Sequence, residues 1–313
     1  MPSLEERARR TQSAPASSSR HFLLYGHRVE ALRAAPGLHV VATPIGNLSD
    51  ITLRALEVLA GADAVLAEDS RVTAKLLTHY GISKPVLAYH EHNAAEMRPK
   101  ILKRLEDGES LALVSDAGTP LISDPGYKLV RDLVENGHRV TAVPGASAVM
   151  AALVSAGLPT DRFFFEGFLP PKTAGRSARA DALKEVPGTL VLFETGPRLA
   201  ASLADLARVL GPRPAAVARE LTKKFEEVRR GRLDELAAHY ADAAHTLKGE
   251  IVLLIGPPGE PEAASADDID AALVDAMKVS SLKDAVAEVA KASGAPRRDV
   301  YARALALAKD GAT

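Results

Sequence analysis

Residues able to do chemistry are concentrated in a few short stretches of this 313-residue chain. Glu68-Asp69-Ser70-Arg71 sets two adjacent carboxylates beside an arginine. Such a group can orient a hydroxyl or a ribose, and it serves equally well to cap a following helix and pair with Arg71. Three further stretches are punctuated by glycine and proline: Thr43-Pro44-Ile45-Gly46-Asn47-Leu48, Ser115-Asp116-Ala117-Gly118-Thr119-Pro120 and Pro144-Gly145-Ala146-Ser147. A glycine there lets backbone N–H and C=O groups come close to a ligand, so these loops suit a small molecule gripped through main chain. Arg219-Glu220-Leu221-Thr222-Lys223-Lys224, and Lys172 after Pro170-Pro171, add positive charge that can meet phosphate or stand solvated like most loop lysines.

Several chemistries are excluded or unsupported. The chain has no Cys, which removes disulfides, thiolate nucleophiles and cysteine-ligated zinc. His90 and His92 share a face of an extended segment, but no third ligand stands at a useful spacing, and no metal is assigned. The lysine-serine end of a P-loop, the spaced glycine triplet of a dinucleotide fold and the Gly-x-Ser-x-Gly elbow of serine hydrolases are all absent.

The elements that must position these loops follow from a repeat of apolar run, turn and amphipathic stretch. Strands are expected over 38–42, 64–67, 86–89, 111–114 and 140–143, and helices over 51–60, 94–105 and 125–135, with others ending at His79 and near Gly157. Strands alternating with helices imply a mostly parallel sheet covered on both faces. The carboxyl ends of its strands share one edge, so the glycine-bearing loops and Glu68-Asp69 converge on one crevice. From Arg162 the texture changes. Phe163 to Phe168 holds four of the seven phenylalanines, and strands over 190–193, 215–218 and 251–255 with helices over 197–210 and 233–240 imply a second α/β domain, whose strand order the sequence leaves open. Gly256 to Pro261 reads as a linker, and beyond it helices are expected over 268–277, 282–291 and 297–309. The resulting division is a disordered tail over 1–36, α/β domains over 37–158 and 159–258, and a helix-turn-helix-like module over 263–313.

Apolar content of 47% permits a core in both domains, and a net charge of −1 provides no global field toward nucleic acid or membrane. Any polyanion site is therefore local. From Lys278 to Lys309, seven basic residues, among them Arg297 and Arg298, face three acidic ones; the module is either a basic grip or a helical cap with a solvated face. No apolar run approaches the ~20 residues of a membrane span. Met1 to Arg20 has no apolar segment of the kind that marks a secretory signal, so a cytoplasmic location is expected.

The strings VATPIGNLSDITLRALEVL, AEDSR, LVSDAGTPLISDPG, VPGASA, GLPTDRFFFEGFLPPK and ARELTK, in this order, closely resemble the ribosomal RNA small subunit methyltransferase I family, part of the tetrapyrrole-methylase (class III) methyltransferase fold. The resemblance runs from Leu38 to about Ile255 and, more loosely, through the helical tail. It implies S-adenosylmethionine as methyl donor, no metal, and as acceptor the 2′-hydroxyl of a cytidine (cytidine-1402) in the decoding region of 16S rRNA. Two α/β domains with the donor in the cleft between them, and commonly a homodimer, are implied as well. Carried onto this chain, the donor would meet Pro44, Gly46, Ser115, Asp116, Ala117, Gly118, Thr119, Pro144 and Gly145, with Phe193 and Glu194 facing them from the second domain. Glu68, Asp69 and Arg71 would line the acceptor side, joined by Lys172, Arg219, Glu220 and Lys223. Asp69 or Glu68 would be the general base, with Lys223 as the alternative, and Arg297 and Arg298 would help hold rRNA. Ser70 stands where the family often has Thr, and Ala42 where it often has Pro; Ser70 keeps the hydroxyl. The nearest alternative is an enzyme of the same fold acting on a tetrapyrrole or another small molecule.

Overall fold

The computed structural model describes residues 20–241, 249–259 and 266–310. Short apolar runs form a first sheet from β3 (Gly37–Val41), β4 (Ala64–Ala67), β5 (Val86–Ala88), β6 (Ser110–Val114) and β7 (Val140–Val143). All its pairings are parallel, in the order β5-β4-β6-β3-β7. β4 and β6 are buried along their whole length, as expected for strands covered on both faces. The covering helices are α1 (Leu53–Gly61) and α2 (Ser70–His79) on one side and α3 (Ala94–Glu106) and α4 (Tyr127–Glu135) on the other. Each starts where the sequence turns polar. Thr52 caps α1 through its hydroxyl, and Asp69 caps α2 by accepting from the Arg71 N–H.

The helix after β7, α5 (Ala148–Ala156), leaves the first sheet and packs on the second. Its Val149, Ala152, Leu153 and Ala156 share a core with Val191, Ala216, Ala218, Val252 and Leu254. That second sheet is mixed, in the order β11-β10-β12-β9-β8, where β8 is Phe163–Phe168, β9 Thr189–Thr195, β10 Pro214–Arg219, β11 Glu227–Arg232 and β12 Glu250–Ile255. Only β8 and β9 run parallel. Its other face carries α6 (Thr173–Ala182), α7 (Gly196–Leu210) and α8 (Leu233–Tyr240).

Two of these elements were not expected. β11 reads EVRRGR, an edge strand with almost no apolar residue, held by pairing to β10 rather than by burial. α6 is an Ala- and Arg-rich helix that buries only Ala180 and a charge: Arg176 is buried and ion-paired with Asp205 of α7 at 2.6 Å. Neither offers a hydrophobic period to detect.

The tail expected over 1–36 is corrected in its second half. β1 (His21–Leu24) and β2 (His27–Glu30) form a hairpin through Tyr25-Gly26, both at positive φ as a two-residue turn requires. Phe22 is buried in the α1–α2 core and the Leu23 N–H bonds the Tyr80 carbonyl. Residues 1–19 lie outside the described residues. At the other end α9 (Ala266–Val279), α10 (Leu282–Ser293) and α11 (Arg297–Asp310) close around Leu273, Val286, Val300 and Ala304, with Arg303 of α11 forked onto Asp270 of α9.

Candidate functional site

The carboxyl ends of β3, β4, β6 and β7 do share one edge, and the loops leaving them are tied together by hydrogen bonds. The loop after β6 is the hub. Gly118 exchanges two backbone hydrogen bonds with Thr43, at 2.8 and 3.0 Å. The Thr119 hydroxyl donates to the Ala146 carbonyl, and the Asp116 carboxylate accepts from the Asp69 N–H at 3.0 Å. Gly118 lies at φ +79°, where a Cβ would meet the Ile45 side chain at 3.3 Å, a position that strongly favours glycine.

This hub faces the second sheet across a cleft of about 940 Å³, solvent-open space included. Asp116, Ala117, Gly118, Thr119, Ile122 and Asp124 line it from the β6 loop, with Ile45 and Ser147 beside them. From the second sheet come Phe168, Phe193, Ala218, Glu220, Lys223 and Glu250. Phe193 packs edge-on against Phe165 and tilted against Phe168, with ring centres 5.0 and 5.6 Å apart.

Of the residues expected at the donor, Asp116 to Thr119 and Phe193 line the cleft. Pro44, Gly46, Ser115, Pro144 and Gly145 are not among the lining residues: the Ser115 carbonyl accepts from the Thr43 hydroxyl, Gly145 sits against Ala42 and Gly46 abuts the Lys223 turn. Glu194 is a correction. One residue after Phe193 on a strand, it points to the opposite face, where it is buried, accepts from the Ser202 hydroxyl and pairs with Arg198. Arg219 is corrected by the same alternation: Ala218 and Glu220 face the cleft, whereas Arg219 bonds Glu227 at 2.6 Å. Lys172 is exposed at the start of α6, outside the cleft, and Arg297 and Arg298 are exposed on α11.

The acidic stretch divides into two kinds of carboxylate. Asp69 is held by the Arg71 side chain and N–H, which lower its pKa to about 2, so at neutral pH it is a helix cap and ion-pair partner and a weak base. Glu68 is pushed the other way, first by burial and then by the like charges of Asp124, Asp116 and Asp69. Asp124 is also raised, mainly by burial and further by Asp116 and Glu250, against a hydrogen bond from Ser115 that lowers it. Carboxyls raised toward neutrality are suited to moving protons. Asp124, Glu250 and Phe168 were not singled out from sequence. Asp124 had a signal, since it lies in the same punctuated string as Gly118, whereas Glu250 and Phe168 are located only by the second sheet.

The turn opposite, 220–226, carries strain. Among the described residues, four of the five non-glycine residues at positive φ flank this cleft: Leu121 and Ser123 on one side, Glu220 and Thr222 on the other. Each strained loop touches the facing domain. A Cβ at Gly167 of β8 would meet the Ser123 hydroxyl at 3.1 Å, and a Cβ at Gly46 would meet the Lys223 side chain at 2.6 Å. Backbone held in such conformations marks sites where geometry outranks local preference.

The cleft's mixture suits an organic ligand with an apolar ring and a cationic centre: aliphatic and aromatic walls, the small-residue loop 116–119, and Asp116, Asp124, Glu220 and Glu250 as counter-charges. Among the described residues no group of three His, Asp or Glu is placed to hold a metal ion.

Comparison with known proteins agrees with this arrangement. Residues 37–237 match the family model of Tetrapyrrole (Corrin/Porphyrin) Methylases, and residues 263–308 match the RsmI C-terminal HTH domain. The chain is 53% identical over 273 residues to the Ribosomal RNA small subunit methyltransferase I of Mesorhizobium japonicum, covering 87% of this chain and 92% of that one. The protein of the same name from Escherichia coli O157:H7 is 44% identical, covering 86% and 94%. Among solved structures, uroporphyrin-III C-methyl transferase from Thermus thermophilus complexed with S-adenyl homocysteine superposes with a TM-score of 0.50 at 22% identity, over 70% of this chain and 97% of that one.

Proposed function

The chain belongs to the ribosomal RNA small subunit methyltransferase I family, within the tetrapyrrole methylases, and from that premise we propose that it methylates the 2′-hydroxyl of a cytidine ribose in 16S rRNA of the small ribosomal subunit, using S-adenosylmethionine. The donor supplies an electrophilic methyl on a sulfonium sulfur. Asp116 to Thr119, with Ile45 and Phe193, are the residues that would hold it. Binding donor and acceptor in one cleft turns a bimolecular displacement into an oriented one, which by itself supplies much of the rate.

The observation that supports a hydroxyl acceptor is the cluster of carboxyls at the cleft: Asp116 and Asp124 line it, Asp116 bonds the Asp69 N–H, and burial with these like charges pushes Glu68 and Asp124 upward. An amine or carbanion brings its own electron pair, but a ribose hydroxyl must lose a proton as the C–O bond forms. Glu68 takes that proton in this reading, in preference to the Arg71-bound Asp69. Lys223, across the cleft, lies where an ammonium steadies a developing alkoxide or a flanking phosphate. The 2′-hydroxyl also restricts the acceptor to RNA. The exposed arginines of the helical module, Arg297 and Arg298, add phosphate contacts away from the cleft.

A homodimer in the cytoplasm belongs to the same reading; Met150 and Val154 on α5 are exposed apolar residues available to a second copy. Incubating the protein with labelled donor and unmodified small subunits, then mapping the modified nucleotide, tests the reaction. Label at one cytidine 2′-oxygen is expected. Label on a base, or transfer to a tetrapyrrole but none to subunits, overturns it.

A further inference from the structure

The 220–226 turn does more than carry Lys223. It is closed on itself by four contacts: the Lys223 ammonium to the Glu220 carboxylate at 3.0 Å, the Lys223 N–H to the Glu220 carbonyl at 3.0 Å, the Thr222 N–H to the Glu226 carboxylate at 2.6 Å, and the Glu226 N–H to the Lys223 carbonyl at 3.1 Å. Glycines on both sides leave it room, since a Cβ at Gly249 would meet the Glu220 carboxylate at 2.6 Å and a Cβ at Gly46 would meet Lys223 and Thr222. At its tip Phe225 is 71% exposed. Lys224 places its ammonium 5.6 Å from the centre of that ring. A large aromatic held in water on a strained, multiply bonded turn contributes nothing to the core, and two residues back the same turn lines the cleft.

We propose that Phe225 is a stacking platform for an unpaired RNA base next to the nucleotide that enters the cleft, with Lys224 beside it for the backbone phosphate. This rests on RNA being the acceptor. The chemistry matches what single-stranded RNA offers: a flat π-face that any base can cover, and adjacent negative charge. Rigidity matters, because a preordered aromatic loses little entropy when a base stacks on it. The turn then links recognition to reaction: Lys223 faces inward to the cleft, and Phe225 outward to the flanking strand.

Because the chain contains no tryptophan, F225W creates a single fluorescent reporter at the tip. Its emission is expected to be quenched on titration with a single-stranded RNA oligonucleotide and with unmodified small subunits, and left unchanged by inorganic polyphosphate, which has charge but no bases. F225A is expected to raise the Kd for small subunits about tenfold or more, the usual loss of one base–aromatic stack, with F225Y restoring it and donor affinity unchanged. Unaltered emission at saturating RNA, or an F225A Kd equal to that of the wild type, overturns the proposal. So does an F225A protein whose sedimentation shows a lost self-association, since the ring would then cover a second copy. Failure of the broader reading is separately visible: wild-type protein would then transfer no methyl to subunits, whatever the reporter does.

Discussion

The two walls of the cleft are built by opposite means. The first-sheet wall comes from a parallel sheet, where every strand delivers its carboxyl end to one edge, and four loops are laced by hydrogen bonds between Thr43 and Gly118, Thr119 and Ala146, and Asp69 and Asp116. It presents main chain and carboxylates. The facing wall comes from a mixed sheet and presents side chains: the ring of Phe193 and the ammonium of Lys223, the latter on a strained turn. The contrast separates the two tasks of the site. The backbone-rich wall, with Asp116 and Asp124, can hold a cationic ligand and accept a proton, while the facing wall sets aromatic rings and Lys223 for a base or a phosphate beside two carboxylates of its own, Glu220 and Glu250.

That division can be broken by substitution. The largest effect is expected at the acidic wall, where Glu68→Gln should lower turnover by about 10²–10⁴-fold, the usual worth of a general base, with donor affinity preserved. Glu68 is raised in the fold, so activity should fall as pH drops through a value above the ordinary carboxylate range. Asp116→Asn removes a like charge and should move that acid limb to lower pH. The sign for stability is opposite to that for activity. A raised carboxyl favours the fold at low pH and loses that contribution as pH rises, so Glu68→Gln should be no less stable than wild type at neutral pH. Thermal melts and pH–rate profiles of the two variants check both statements.

Next in size is a substitution that spares the first wall and unsettles the second. Arg176→Ala leaves Asp205 buried without its main partner and should cost about 3–5 kcal/mol of stability in denaturant unfolding. Burial raises the Asp205 pKa, but the bonds from Arg176 and Arg208 outweigh it and the net shift is downward. The cost should therefore shrink as pH falls through the folded value and wild type loses the pair as well.

Gly46→Ala tests the seam between the walls. The new methyl group meets Lys223, Thr222 and the Leu221 carbonyl, so the turn must move. A fall in kcat/KM for subunits of about 10- to 100-fold is expected, the scale of an ångström-level misplacement. Donor affinity measured by calorimetry should change far less, because Gly46 does not line the cleft. The smallest effect is expected at Asp69→Asn, which keeps a capping side chain and loses only an exposed ion pair. Turnover should stay within about fivefold of wild type. A drop as deep as that of Glu68→Gln would make Asp69 the base.

Residue patterns made the first wall legible and left the second obscure. Val65, Leu66 and Ala112 to Val114 lie in uninterrupted apolar runs ended by the polar residues Glu68 and Ser115, and a parallel sheet places the following loops on one edge whatever its strand order. In the second domain, β11 survives on hydrogen bonds to β10 with no apolar signal, and α6 is anchored by a buried arginine. The resemblance to the methyltransferase family located the right strings there, yet put Glu194 and Arg219 in the site. On a strand the neighbour of a site residue faces away from it, so Phe193 enters the cleft and Glu194 leaves it.

The sequence by itself determined the family, the two sets of α/β layers, the position of the glycine-bearing loops and the helical module that follows them. Those properties are local or additive: apolar period, turn residues and ordered motifs along one chain. Only the tertiary structure separated two adjacent carboxylates: Asp69 is bonded to Arg71, whereas Glu68 is partly buried near Asp116 and Asp124. It likewise decided that Gly46 clears space for the Lys223 turn, because that contact joins residues 177 positions apart. Charge, proton affinity and close approach are set by neighbours in space: for Glu68 these are Asp116 and Asp124 of another loop of the same domain, and for Gly46 the Lys223 turn of the other domain.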